Sequence, residues 1–366
     1  MASTAGSLQS SSSFSADTMQ FLISPRNIKR FDHRDEKCGD PAASREQNNL
    51  GLVDYDSLPE FLKHNEFIVN YYRSEWPLRE TLLSLFSIHN ETLNVWTHLI
   101  GFFIFLVLAG YAASIFPVGG AATGINDNPM MEQIRSGNSS IISIPFHDMF
   151  FVPTYQTPIP NTPLTSRLSR WPFYIYLAGA MFCLLMSSAC HLLSCHSART
   201  SYVMLRLDFA GISGLIVSSF YPLVYYTFAC HPFFRNVYLC SITVFGLATI
   251  VISLVPVFDS PQFRPVRAVL FACMAASGIV PIAHKMLAFG HRPEAVLTTG
   301  YEAVMAMFYG LGVVVYALRV PERWLPGKFD LAGHSHQLFH VLVVAGAYTH
   351  YLASVVYLGW REAEGC

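Results

Sequence analysis

Five side chains in or beside long apolar runs could do chemistry together: Ser187, His191, Asp208, His336 and His340. An Asp held at the centre of a membrane helix costs about 2.5–3.5 kcal/mol, so ionisable groups in such runs are functional candidates by default. His336 and His340 are i and i+4, one turn apart on one helix face, the spacing that lets two imidazoles share a metal. Ser187 and His191 have the same spacing on another run. A lone pair of this kind is commonly two unrelated histidines; two such runs converging with an acid are a stronger signal. Three neutral imidazoles suit Zn²⁺ and leave a fourth position for water. Asp208 could orient that water or accept its proton. Zinc would lower the pKa of the water to about 7.

The elements that must position these groups are membrane spans. Of the 366 residues, 52% are hydrophobic and 13% charged, about half the charged share of an ordinary soluble domain. Mean hydropathy is +0.36. A net charge of −1 leaves no basic footprint for nucleic acid. Runs near 93–115, 171–193, 203–228, 236–258, 266–284, 299–319 and 336–358 compare with the ~20 residues needed to cross ~30 Å of hydrocarbon. The fifth is short between charges, from Arg267 to Lys285, and carries Pro281; the sixth admits Glu302 near its start. Trp96, Trp171 and Trp360 fall at run ends, where interfacial aromatic anchors belong.

With seven spans, His191 at the end of the second, Asp208 near the start of the third and His336 at the start of the seventh meet at one leaflet, whichever way the chain points. A channel or transporter would carry polar groups on several helices through the midplane. His98, His196 and His334 read as interfacial hydrogen-bonding or snorkelling residues, His284 and His350 as packing histidines, and Arg206 as a partner for lipid headgroups. Lys and Arg near the membrane divide eight against seven between the two sides, with Lys285 in the smaller set, so charge gives no orientation. A polar leader without a signal peptide favours a cytoplasmic N-terminus.

Residues 1–53 are Ser-rich and then mixed in charge, with too little apolar surface to fold alone. Over 54–92, Leu58, Phe61, Leu62, Leu82, Leu83, Leu85 and Phe86 suggest an amphipathic helix lying along the membrane or capping the bundle. Seven spans occupy 93–358, with a long loop at 116–170 between the first two, and 359–366 form a short tail. That loop carries the sequon at Asn138; a second, at Asn90, lies close to the bilayer. The eight cysteines follow no zinc or disulfide framework. Only Cys230 and Cys366 could meet in an oxidising compartment.

The segments Ser187-Ser188-Ala189-Cys190-His191, Leu207-Asp208-Phe209-Ala210-Gly211-Ile212 and His334-Ser335-His336-Gln337-Leu338-Phe339-His340 resemble the three zinc-site motifs of the progestin and adipoQ receptor family. Asn65-Glu66-Phe67-Ile68, Tyr71-Tyr72-Arg73, Glu91-Thr92-Leu93-Asn94-Val95-Trp96-Thr97-His98, and Pro321-Glu322-Arg323 running to Asp330 match as well. The long first loop and the ending Trp360-Arg361-Glu362-Ala363-Glu364-Gly365-Cys366 look most like the plant heptahelical branch.

The resemblance implies an all-α integral membrane protein: a seven-transmembrane helix bundle with the N-terminus cytosolic and an intramembrane zinc site. Zn²⁺ would be held by His191, His336 and His340 near the cytosolic face, with Asp208 reached through water. Similarity to adiponectin receptors and alkaline ceramidases suggests hydrolysis of a ceramide-like lipid amide, with Ser187 steadying the oxyanion or leaving group. The plant branch implies signalling in abiotic-stress, hormone or sugar responses from the plasma membrane or an endomembrane, with the cytosolic tail contacting partners. The alternative is a non-catalytic receptor or scaffold with a structural zinc.

Overall fold

The computed structural model describes residues 50–115, 169–255 and 264–365. Most of the expected tail, the interior of the first loop with Asn138, and Cys366 lie outside them. The described residues form helices α1 (Leu78–Leu83), α2 (Thr92–Ile115), α3 (Trp171–Leu193), α4 (Ala198–Thr227), α5 (Pro232–Leu254), α6 (Arg264–Ala276), α7 (Ile279–Phe289), α8 (Pro293–Leu318) and α9 (Ser335–Glu364). They include no named strand, only an isolated bridge between Val53 and Tyr72.

Seven spans are long and apolar enough to cross a membrane: α2, α3, α4, α5, the pair α6–α7, α8 and α9. The unbroken ones have 23 to 30 residues, about 35–45 Å at ~1.5 Å per residue, which exceeds ~30 Å of hydrocarbon. The fifth is broken at Ser277–Gly278. Pro281 lacks the N–H that the Ser277 carbonyl would otherwise accept. Ser277 Oγ turns back to Met274 O at 2.7 Å, and Gly278 N–H reaches Ala275 O in a tighter turn.

Small residues set the closest helix contacts, as expected where hydrocarbon surrounds the bundle and no hydrophobic force drives helices together. A Cβ on Gly179 would lie 2.0 Å from Ser218 Oγ, and one on Gly211 3.0 Å from Cys183 Cα. That close approach brings α3 and α4 together. Gly211 is one turn beyond Asp208 and Cys183 one turn before Ser187, so the antiparallel contact places Ser187 and Asp208 side by side.

The expected amphipathic helix over 54–92 is reduced to the single turn Glu60–Leu62, then α1 and a further turn at Ser84–Phe86. Pro59 and Pro77 limit the helical stretches to the residues that follow them. Tyr71 and Glu75 adopt positive φ of 67° and 53°, which no helix accommodates. The segment caps the bundle. Leu58, Leu62, Ile68 and Tyr72 form a small core of their own. Asp330 accepts from Val69 N–H, Asn70 N–H and Asn70 Nδ2 at 2.9–3.0 Å.

Other side chains depart from expectation. Lys285 lies inside the bundle, fully buried beside Glu302. Arg206 does not reach for headgroups: it is buried over the Tyr202 ring and donates to Leu254 O at the end of α5. Trp360 is buried against Phe289 and is no interfacial anchor. Trp171 does stay exposed at the start of α3. Cys230 is disulfide-bonded.

Candidate metal centre

α3 ends with His191 in its last turn, and α9 opens with His336 and His340 in its first two. One ring nitrogen from each lies within 4.8 Å of the other two. His191 Nε2 and His336 Nε2 face each other at 3.0 Å.

Hydrogen bonding fixes which nitrogens point inward. His191 Nδ1 lies 2.8 Å from Glu91 Oε2, and His340 Nδ1 lies 3.1 Å from Asn94 O. An ionised carboxylate and a carbonyl can only accept, so each Nδ1 carries the proton and each Nε2 turns a lone pair to the centre. This is the outer-shell arrangement that orients metal-binding histidines. The lone pairs of His191 and His340 turned toward His336 fit a cation. Two nitrogens on a tetrahedral metal ion would sit about 3.3 Å apart, which the His191–His336 pair at 3.0 Å nearly matches, within a group of three that spans up to 4.8 Å.

Glu91 directly precedes α2 and also accepts from Asn94 Nδ2 at 2.5 Å. Burial raises its carboxyl, but the hydrogen bonds with His191 and Asn94 and the neighbouring imidazoles together outweigh burial and hold it well below the usual carboxylate range. Two further groups fix the ends of the ligand-bearing helices. The Arg73 guanidinium donates to His191 O at 2.8 Å and Leu192 O at 3.0 Å, satisfying terminal carbonyls of α3. The Glu322 carboxylate accepts from Ser335 N–H at 2.7 Å and from the Ser335 hydroxyl, placing a negative group at the N-terminus of α9.

Asp208, in the third turn of α4, is outside the group of three converging nitrogens. Ser187 and His191 are the polar side chains nearest in influence to its carboxylate. The structure therefore brings the three histidines together and sets Asp208 and Ser187 beside them.

Sequence reasoning missed three contributors. Glu91 and Arg73 were legible only as parts of motifs, because their partners lie 100 and 118 residues away. His98, expected at the interface, is buried with its ring stacked on His340 at 3.6 Å; its spacing one turn beyond Asn94 was the available signal. His196 does hydrogen-bond, through Nδ1 to Trp76 O at 2.9 Å. His284 pairs within the bundle with the Tyr238 hydroxyl and His350, through Nε2, with Ser219 O.

Seven apolar helices with a histidine cluster at one end define a multi-pass integral membrane protein with a site able to hold a metal ion. The family model "Haemolysin-III related" matches residues 86–351. "Heptahelical transmembrane protein 4" of Arabidopsis thaliana is 53% identical over 347 residues, covering 86% of this chain and 90% of that protein. "Heptahelical transmembrane protein ADIPOR3" of Oryza sativa subsp. japonica is 49% identical over 380 residues, 88% and 94% of the two chains. "Adiponectin receptor protein" of Drosophila melanogaster is 35% identical over 299 residues, 81% of this chain and 57% of the other. The chain belongs to the haemolysin-III-related family, and within it is an adiponectin receptor-like heptahelical membrane protein.

Proposed function

We propose that this protein is a signalling receptor whose His191, His336 and His340 hold Zn²⁺ and whose site hydrolyses ceramide-like lipid amides. The observation that carries the reading is the convergence of His191, His336 and His340 beside Asp208 and Ser187. When bound, zinc supplies a Lewis-acid centre that can polarise an amide carbonyl and acidify water. Asp208 is the base placed to take the proton from an attacking water and return it to the leaving amine nitrogen. Ser187, buried one turn before His191, is the hydroxyl available to the oxyanion or leaving group. The substrate enters from the bilayer, where its acyl chain already resides.

The N-terminus is read as cytosolic. Moving Lys285 from the loops to the bundle interior supports this, since it tilts the Lys/Arg balance toward the N-terminal side. Residues 1–53 are then a cytosolic tail that contacts signalling partners. The role we propose lies in abiotic-stress, hormone or sugar responses, at the plasma membrane or an endomembrane, the expectation that the plant-type motifs carry.

A structural zinc in a non-catalytic receptor is the second reading. It is favoured by the bonds from Arg73, Glu91 and Glu322 that already tie the site together. Purified protein and its His336→Ala variant, compared for metal content and for fatty-acid release from a ceramide panel, decide between them. Bound zinc with release that vanishes in the variant is the expected result. Zinc without release would leave the structural reading, and full zinc in His336→Ala would overturn the site.

A further inference from the structure

α1 is amphipathic in the inverse sense of a helix docked on a protein core. Its inward residues are small and polar: Thr81 is buried and its hydroxyl donates to Trp76 O, and Ser84, just past its end, is buried against the Arg73 guanidinium. Its outward residues are large and apolar. Leu78, Leu82 and Phe86, four residues apart, are 50%, 49% and 79% exposed, with Leu83 and Ile88 at 54% and 72% beside them. No soluble protein gains by presenting so compact an apolar face to water.

The place of this face identifies what covers it. Trp96, in the second turn of the first span, donates its indole N–H to Leu85 O at 2.9 Å, and its ring meets Phe86 at 6.4 Å. The segment is thereby held level with the first turns of α2, where the span passes from headgroups to hydrocarbon. Below it α2 continues an exposed apolar stripe through Leu93, Ile100 and Phe103. Arg79, on the same short helix, points away from that face, 82% exposed and 3.5 Å from Glu80 Oε1.

We infer that Leu78, Leu82, Leu83, Phe86 and Ile88 form a wedge embedded in the leaflet on the histidine side, buried about 5–10 Å into the headgroup and acyl boundary in the manner of an interfacial helix. The partner is the lipid surface itself. Because Arg73 contacts both Ser84 on the inner face of the wedge and the His191 carbonyl, the wedge is two side chains from the histidine cluster.

An environment-sensitive fluorophore on a cysteine introduced at Phe86, Ile88 or Arg79 tests this in nanodiscs of phosphatidylcholine and phosphatidylserine, with the signal of the unsubstituted chain subtracted. At positions 86 and 88 the emission shifts to the blue, and nitroxide-bearing lipids quench it several-fold more strongly than at position 79. Quenching by aqueous iodide at position 86 equal to that at position 79 would overturn the wedge. Protection from both quenchers would also overturn it, by showing a protein surface over the patch. All three positions are exposed, so labelling leaves the bundle intact, and the outcome does not depend on whether the histidines bind zinc.

Discussion

A histidine ligand is only as well placed as the group on its far nitrogen, which makes Glu91 as consequential as the histidines themselves. Its carboxylate fixes the tautomer and ring orientation of His191. Glu91→Ala is expected to weaken metal binding by about 10–100-fold, the usual cost of removing an outer-shell partner. Competition with a chromophoric chelator measures this, and unchanged affinity would show that His191 needs no orienting group. The histidines were legible in the sequence because their i, i+4 spacing and the parity of the loops survive any detail of packing. Glu91 was not, because nothing local distinguishes it from an ordinary residue at the start of a helix. His98 was misread for a related reason: nearness to a span end says little about which face of the helix a residue occupies.

Between α1 and α2 the chain depends on one neutral imidazole. His89 Nε2 lies 3.2 Å from Ser84 O, while its Nδ1 accepts from Glu91 N–H at 3.1 Å. Only the uncharged Nε2–H tautomer satisfies both. Burial, reinforced by the Arg73 charge, pushes its pKa down to about 4. The unfolded segment therefore binds a proton that the folded one refuses between about pH 6.5 and pH 4. The stability His89 confers is present in full above the unfolded pKa and falls as pH drops through that window, by on the order of 3 kcal/mol. Hydrogen exchange of residues 84–92 should accelerate over the same range beyond the intrinsic pH effect, and His89→Gln should flatten that dependence. The elements were partly legible. Apolar runs announced the spans, whereas the cap misled because Leu58 with Leu62, and Leu82 with Phe86, have a helical spacing that Pro59, Pro77 and the positive φ at Tyr71 and Glu75 confine to short turns.

Across the whole molecule, the end of the bundle away from the histidines is fastened by a second polar cluster. Lys285 Nζ donates to Glu302 Oε2 at 2.8 Å, Thr298 Oγ1 at 3.0 Å and the Tyr357 hydroxyl at 2.6 Å, and Tyr357 also donates to Glu302. Lys285→Met leaves a fully buried carboxylate unpaired, and a loss of about 3–5 kcal/mol is expected. Thermal unfolding in detergent reads it as a lowered midpoint that Glu302→Gln, added to the same chain, largely restores. A hydropathy pattern could not show this cluster, because it treats every charge as the edge of a span. The same pairing bears on how the chain enters a bilayer. A span carrying Lys285 or Glu302 alone would stall at the threshold of the membrane, since each charge is costly in hydrocarbon. The two spans are joined by only three residues, from Gly290 to Arg292, so the charges can neutralise each other within one hairpin. Biogenesis of this protein then requires its fifth and sixth spans to leave the translocation machinery together, as a single cargo.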